Sequence, residues 1–110
     1  MQNTIDLSNN NILFLTLKKL QFEVTLSSEK KIEYRVQSDW IKSRLIGKDY
    51  DFIKFVNGYG IDKPFMIIEY KGYDVIKAES TFSFSNGLVV NVKKGDFAIK
   101  LGKIIETGNL

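Results

Sequence analysis

Residues 28–35 read SEKKIEYR and place five charged side chains in a segment that alternates like a β-strand. Side chains two residues apart on a strand share a face. Strict alternation predicts two sets of side chains, with Glu29, Lys31, Glu33 and Arg35 on one face and Lys30, Ile32 and Tyr34 on the other. A cleft that holds both Lys30 and Arg35 therefore requires either a bulge or a strand that begins after Lys30.

Further strand signals flank this segment, which we expect to extend over residues 30–37. Short apolar or alternating runs bounded by turn residues predict strands at 12–17, 51–56, 65–70, 74–78 and 97–106. Lys71-Gly72 and Gly102 are expected to form a turn or bulges. The strongest hairpin signal is TFSFSNGLVVNV at 81–92, because Asn86-Gly87 suits a two-residue type I′ turn that would pair Phe84 with Val89.

Two short helices are predicted between the first three strands. One covers residues 18–26, and the second begins after the capping residues Ser38 and Asp39, with Trp40 in its core stripe and Gly47 closing it. These elements predict an α+β, mainly β fold class, a small β-barrel of about six or seven strands with two short helices. Residues 1–11 are polar and are expected to form a lead-in to a single domain at 12–110.

Composition narrows the possible chemistry. The chain has 110 residues, no Cys and no His, so a disulfide framework, most zinc sites and His-based catalysis are not expected. We expect no metal and no cofactor. Apolar runs fall short of the roughly 18 residues of a membrane span, and residues 1–11 lack a signal pattern, so we expect no membrane association and a cytoplasmic location. The net charge of +3 is too mild to identify a polyanionic partner.

The charged strand and the Asn57-Gly58-Tyr59-Gly60 loop are the candidate functional segments. A strand in a small barrel rarely carries charges without a role, and such groups facing a glycine-paired loop would form a polar cleft. Arg35 would hold a phosphate or a base edge, while Glu33 would accept from an amino group. Asn57 and Tyr59 would offer an amide and a stacking ring to a base.

A structural interpretation stands beside each of these assignments. Lys30 would pack its stem on the barrel and extend its ammonium into water, and Glu33 and Arg35 would form an exposed pair contributing about 0–1 kcal/mol. Tyr59 would pack over the barrel end. On the second helix, Trp40 is expected in the core, with Arg44 near enough to reach the cleft.

Five motifs follow one another along the chain: the charged segment, the Trp-bearing helix, the NGYG loop, IEYKG at 68–72 and LGKII at 101–105. This order resembles the ASCH domain family, which has a PUA-like β-barrel fold. The resemblance covers about residues 15–106, and Ser28 stands where the family has a glycine. If that position needs a positive φ, Ser28 is strained or the turn is rearranged. The matching positions are Lys30, Glu33, Arg35, Trp40, Asn57, Gly58, Tyr59, Gly60, Ile68, Glu69, Tyr70, Lys71, Gly72, Leu101, Gly102, Ile104 and Ile105.

The resemblance implies a function connected with RNA or nucleotides, so our first hypothesis is an RNA- or nucleotide-binding module that uses Lys30, Arg35, Arg44, Asn57 and Tyr59. A second is a metal-free hydrolase of an N4-acylcytidine-like nucleoside or of RNA, with Lys30 as base or nucleophile and Glu33 as its partner. Glu33 stands where one amidohydrolase branch has threonine, so that activity is not carried over intact. A third is a protein-interaction domain whose 81–92 hairpin joins a partner's sheet.

Overall fold

The structure is a computed structural model that describes residues 11–110. The predicted lead-in at 1–11 therefore lies outside the described residues, except for Asn11. Over residues 11–110 the chain forms two helices and seven strands. In chain order they are β1 (Ile12–Leu17), α1 (Lys19–Leu26), β2 (Ile32–Arg35), α2 (Asp39–Leu45), β3 (Phe52–Asn57), β4 (Phe65–Val75), β5 (Ser80–Ser83), β6 (Val89–Val92) and β7 (Phe97–Gly108).

Five strands form one mixed sheet in the order β1-β3-β4-β7-β2, and β5 and β6 form a separate hairpin. β1 runs parallel to β3, whereas the other neighbours are antiparallel. The sheet curls into a half-barrel, with β1 and β2 as its two outer strands. This confirms the predicted α+β, mainly β class and its barrel-like curvature. We call the gap between β1 and β2 the seam.

The core fills the concave side of the curled sheet, and side-chain alternation selects its members. Ile53 and Phe55 on β3 are fully buried, while Phe52, Lys54 and Val56 on the other face are only partly covered. Leu13, Leu15 and Leu17 of β1 join the same cluster. Full burial of a large aliphatic or Phe side chain contributes about 1.5–3 kcal/mol, so these strands hold the half-barrel together and fix the position of the seam.

The start and end of α2 match the sequence signals. The Ser38 hydroxyl accepts a hydrogen bond from the amide of Ile41 at 3.2 Å, and Asp39 places a carboxylate in the first turn. Gly47 follows the helix with a φ of +71°. Ile41 and Leu45, four residues apart, are buried against the sheet. The helix is thus anchored by one narrow ridge, which leaves its neighbouring positions free for other roles.

The 81–92 hairpin forms, but its predicted register is wrong. Ser83, not Phe84, pairs with Val89, and the amide of Phe84 donates to the carbonyl of Leu88. Only Gly87 of the Asn86-Gly87 pair has a positive φ, so the connection is a three-residue loop with a left-handed glycine rather than a type I′ turn. The Asn86 side chain is engaged instead, because its amide donates to the carbonyl of Leu20 at 3.0 Å and its oxygen accepts from Leu88.

The long strands β4 and β7 pair irregularly, as the glycines predicted. Their register shifts on both sides of Tyr70, and Gly72 has a φ of +90°. The glycine at position 102 is required for a different reason, because a Cβ there would lie 2.7 Å from the Glu69 carboxylate. That carboxylate accepts from the amide of Lys103 at 2.8 Å. The close approach explains why β7 carries a glycine at this point.

Ser28 occupies the left-handed position at the end of α1, with a φ of +68°. A non-glycine residue there carries a conformational cost of about 1–2 kcal/mol, so Ser28→Gly is expected to raise the free energy of unfolding by about 1 kcal/mol. Urea denaturation measures this change. Ser27→Gly is the matched control, because Ser27 has a φ of −73° and glycine there should destabilise. A loss of stability in Ser28→Gly would contradict the expectation.

Candidate functional site

Lys30, Glu33 and Arg35 form an ion cluster beside the seam, in which Lys30 and Glu33 are buried and Arg35 is partly exposed. The Lys30 ammonium lies 2.6 Å from one Glu33 carboxylate oxygen, and the Arg35 Nε lies 2.7 Å from the other. Lys30 and Glu33 are only 3% and 4% exposed. β2 begins at Ile32, which meets the condition for Lys30 to share a site with Glu33 and Arg35. The interpretation of Lys30 as a residue with its ammonium in water is therefore wrong.

The predicted alternation fails at the start of the segment. Glu29 was expected on the face of Glu33, but its carboxylate accepts from the amide and hydroxyl of Ser85 at 2.9 and 2.6 Å. These bonds lower the pKa of Glu29 below its usual value, the hydroxyl contributing most. Residues 28–31 precede the strand, so a period of two does not apply to them. Glu29 thereby ties the 81–92 hairpin to the barrel.

The ion cluster also bridges the seam. One Nη of Arg35 donates to the main-chain carbonyl of Thr16 on β1 at 2.8 Å, so a side chain of β2 spans the distance to the opposite outer strand. Two cations share one carboxylate, which leaves the cluster with a net charge of +1. Burial of an ion is costly unless it is paired, and the pairing here accounts for a charged group at this depth.

A cleft of about 820 Å³ opens along the seam above Glu33 and Arg35. This seam cleft brings together four of the predicted site residues: Glu33, Arg35, Asn57 and Tyr59. Lys30 and Arg44 are not among the lining residues. The cleft is lined by Thr16, Leu17, Lys18, Lys19, Gln21, Glu33, Tyr34, Arg35, Val36, Asn57, Gly58 and Tyr59.

An aromatic recess of about 400 Å³ adjoins the seam cleft, and both are bordered by Thr16, Arg35 and Tyr59. Its other lining residues include Phe14 and Trp40. The ring-bearing residues are unusually open to solvent, since Phe14 is 61%, Trp40 49% and Tyr59 83% exposed. Grouped exposed apolar side chains on a small domain mark interaction surfaces. The recess therefore adds an apolar face to the basic cleft.

Two of these aromatic residues correct the predictions from sequence. Trp40 was expected in the core, but α2 docks through Ile41 and Leu45 and turns Trp40 toward the recess. Tyr59 was expected to pack over the barrel end, but it is 83% exposed, and its hydroxyl lies 3.5 Å from the Thr16 hydroxyl. Arg44 lies one turn after Trp40, with its guanidinium carbon 5.0 Å from the indole centroid. It steadies the indole by a cation–π contact.

Tyr34 connects the cleft wall to the hairpin. Its ring stacks on Phe82 with centroids 5.4 Å apart and an interplanar angle of 8°. Burial raises the pKa of the Tyr34 hydroxyl. The hairpin thus contacts the barrel through Phe82, Ser85 and Asn86, and these contacts keep the β2 side of the cleft in place.

Sequence reasoning missed Lys18, Lys19 and Gln21 as cleft residues. The two lysines directly follow an apolar strand, and this position placed them at the rim of a sheet edge. The sequence thus showed that Lys18 and Lys19 lie at the end of a strand, but only the curl of the sheet brings that end of β1 close to Arg35. Gln21 had no distinguishing pattern in the sequence.

Within residues 11–110, His, Cys, Asp and Glu side chains form no group of three that could hold a metal ion. Neither helix in this range is both long and apolar enough to cross a membrane. Comparison of the chain with protein-family models, with curated proteins and with solved structures finds no match.

Proposed function

We propose that this protein binds single-stranded RNA, or a nucleotide, in the seam cleft. The observation that carries the proposal is that a basic cleft and an exposed aromatic recess share a border, and that this border includes Arg35. Nonspecific single-strand binders combine these two features, because cations follow the phosphates while rings stack on the bases. A duplex hides its bases in the stack and would leave Trp40 and Tyr59 without a ligand surface.

The charges around the cleft support an anionic ligand. Lys18 and Lys19 are exposed at its rim, and the ion cluster below contributes a further net positive charge. Among the described residues, the bonds to Glu33 and Thr16 use two of the five donors that a guanidinium carries. Arg35 is therefore oriented by the protein and retains donors for a phosphate, which is how planar recognition of phosphate works.

Lys30 has a positioning role in this proposal. Its side chain is 2% exposed and its ammonium bonds to Glu33, so Lys30 orients the carboxylate that orients Arg35. The hydrolase hypothesis requires Lys30 to contact the substrate instead. The resemblance to ASCH domains is a further reason to choose RNA as the ligand class, since it implies RNA or nucleotide binding independently of the cleft geometry.

Arg35→Ala tests the proposal, with fluorescence anisotropy of a labelled single-stranded RNA as the measurement. We expect affinity to fall at least tenfold and the slope of log affinity against log salt to become shallower by about 1. Lys77→Ala is the matched control, because it removes one exposed positive charge outside the cleft. Equal losses in the two variants would contradict the proposal.

Two further measurements keep this test interpretable. Arg35→Lys retains the charge but loses the planar donor pair, so it should bind between the wild type and Arg35→Ala. Chromatography of the RNA after incubation would reveal cleavage. Turnover that disappears in Lys30→Met but persists in a folded Arg35→Lys would favour the hydrolase hypothesis over a binding module.

A further inference from the structure

Gln21 carries the one buried side-chain polar atom within residues 11–110 that has no hydrogen-bond partner. Its Oε1 is inaccessible to solvent and unpaired, and the residue borders the seam cleft. Buried acceptors in native proteins are nearly always paired, and leaving one unpaired is costly. Because Gln21 as a whole is only partly buried and borders the cleft, a turn of its side chain toward the cleft would let a ligand supply the missing donor.

The backbone around Gln21 is held on both sides, so the side chain starts from a fixed point. The Gln21 carbonyl accepts from the hydroxyl of the buried Thr25 at 2.9 Å. The preceding carbonyl, of Leu20, accepts from the Asn86 amide of the hairpin. A recognition group gains from such prior ordering, because less conformational entropy is lost on binding.

A second acceptor borders the same cleft. Glu33 is 4% exposed, and each of its carboxylate oxygens receives one cation while retaining a lone pair for another donor. The cleft therefore combines cationic groups suited to phosphate with two acceptors. Phosphate oxygens bring no donor at neutral pH, whereas an amino group offers two N–H bonds, one for each acceptor. Ribose hydroxyls are also donors, but pairing through the ribose alone would give equal binding of all four nucleotides.

We propose that Gln21, together with Glu33, selects nucleobases that carry an exocyclic amino group. The proposal rests on the nucleotide-binding function proposed above and adds its specificity. Cytosine, adenine and guanine each present an NH₂ group, whereas uracil carries carbonyl oxygens in its place. A uracil carbonyl facing the Gln21 oxygen and the Glu33 carboxylate would place acceptor against acceptor and leave both unpaired.

Titration of the wild type with CMP, AMP, GMP and UMP by calorimetry tests this specificity. We expect at least one amino-bearing nucleotide to bind about tenfold more tightly than UMP, the effect of one hydrogen bond to a buried group. Gln21→Met, of similar length, should reduce that ratio to about twofold or less, mainly by weakening the binding of the amino-bearing nucleotide. Gln21→Glu keeps the acceptor and should retain the preference for amino-bearing bases.

The outcomes separate the two proposals. Equal binding of all four nucleotides, or a preference that survives in Gln21→Met, would overturn the role of Gln21 and leave the binding function standing. A preference that is lost or reversed in Gln21→Glu would show that the amide presents its NH₂ group and would overturn the amino selectivity. Absence of binding by all four nucleotides and by single-stranded RNA would overturn both proposals.

Discussion

Replacement of Glu33 by Gln is expected to lower the free energy of unfolding by about 3–5 kcal/mol, because it leaves a buried charge without its counter-ion. Lys30 is 3% exposed, and its ammonium bonds to the carboxylate at 2.6 Å. Gln has the shape of Glu, so packing is retained and the loss reports the charge. Urea denaturation followed by circular dichroism gives the change in midpoint and slope.

Two variants isolate the buried charge as the cause. Glu79→Gln makes the same chemical change at an exposed position and should alter stability by less than about 0.5 kcal/mol. The double variant Lys30→Met/Glu33→Leu removes both buried charges and should recover most of the loss, because apolar replacement of buried ion pairs is often neutral. A Glu33→Gln variant as stable as the wild type would contradict a stabilising role for the ion cluster.

Removal of two of the three exposed rings of the recess in Trp40→Ala/Tyr59→Ala is expected to weaken binding of single-stranded RNA at least 30-fold. Stacking of a base on an aromatic side chain contributes about 1–3 kcal/mol, so the loss of two stacking rings has a large effect. Because Trp40 is 49% and Tyr59 83% exposed, the thermal unfolding midpoint should change little. Anisotropy with single-stranded and duplex RNA of the same sequence measures the effect.

Ile61→Ala is the control for loss of exposed apolar surface. Ile61 lies two residues after Tyr59 and is 87% exposed, but it has no ring. It should bind single-stranded RNA like the wild type. An equal affinity in the double aromatic variant and in Ile61→Ala would remove stacking from the proposed mode of binding. A parallel loss for duplex RNA would assign the rings to a contact other than base stacking.

The sequence predicted the local elements well because each has a local cause. The two-residue alternation of side chains along DFIKFV at 51–56 identified β3, and Ser38 identified the start of α2. Gly47 marked the end of that helix with its positive φ. Steric and hydrogen-bonding rules that act over a few residues determine such features, so one sequence is sufficient to find them.

The predictions that were wrong concern features that depend on contacts between residues distant in sequence. The hairpin register changed because Asn86 bonds to Leu20, 66 residues away, instead of adopting a left-handed turn. Trp40 lies on the ridge next to the one that α2 buries, and only docking against the sheet decides between them. The predicted group of Glu33, Arg35, Asn57 and Tyr59 does meet in one cleft, but Gln21 and the two rim lysines enter it through the curl of the sheet.

The pairing of β2 with β7 makes the cleft a late product of chain synthesis. β2 is an outer strand whose neighbour in the sheet is β7, with Ile32 opposite Lys100 and Glu33 opposite Ile99. Contacts that span so much sequence form only after the intervening chain has been made and its loop closed. A nascent chain that has just left the ribosome with residues 12–57 contains most of the cleft residues but has no β7 to hold Glu33 and Arg35. The proposed RNA binding at the seam would therefore begin only once β7 has been translated. An unfinished chain would not bind RNA in this way, including the message from which it is made.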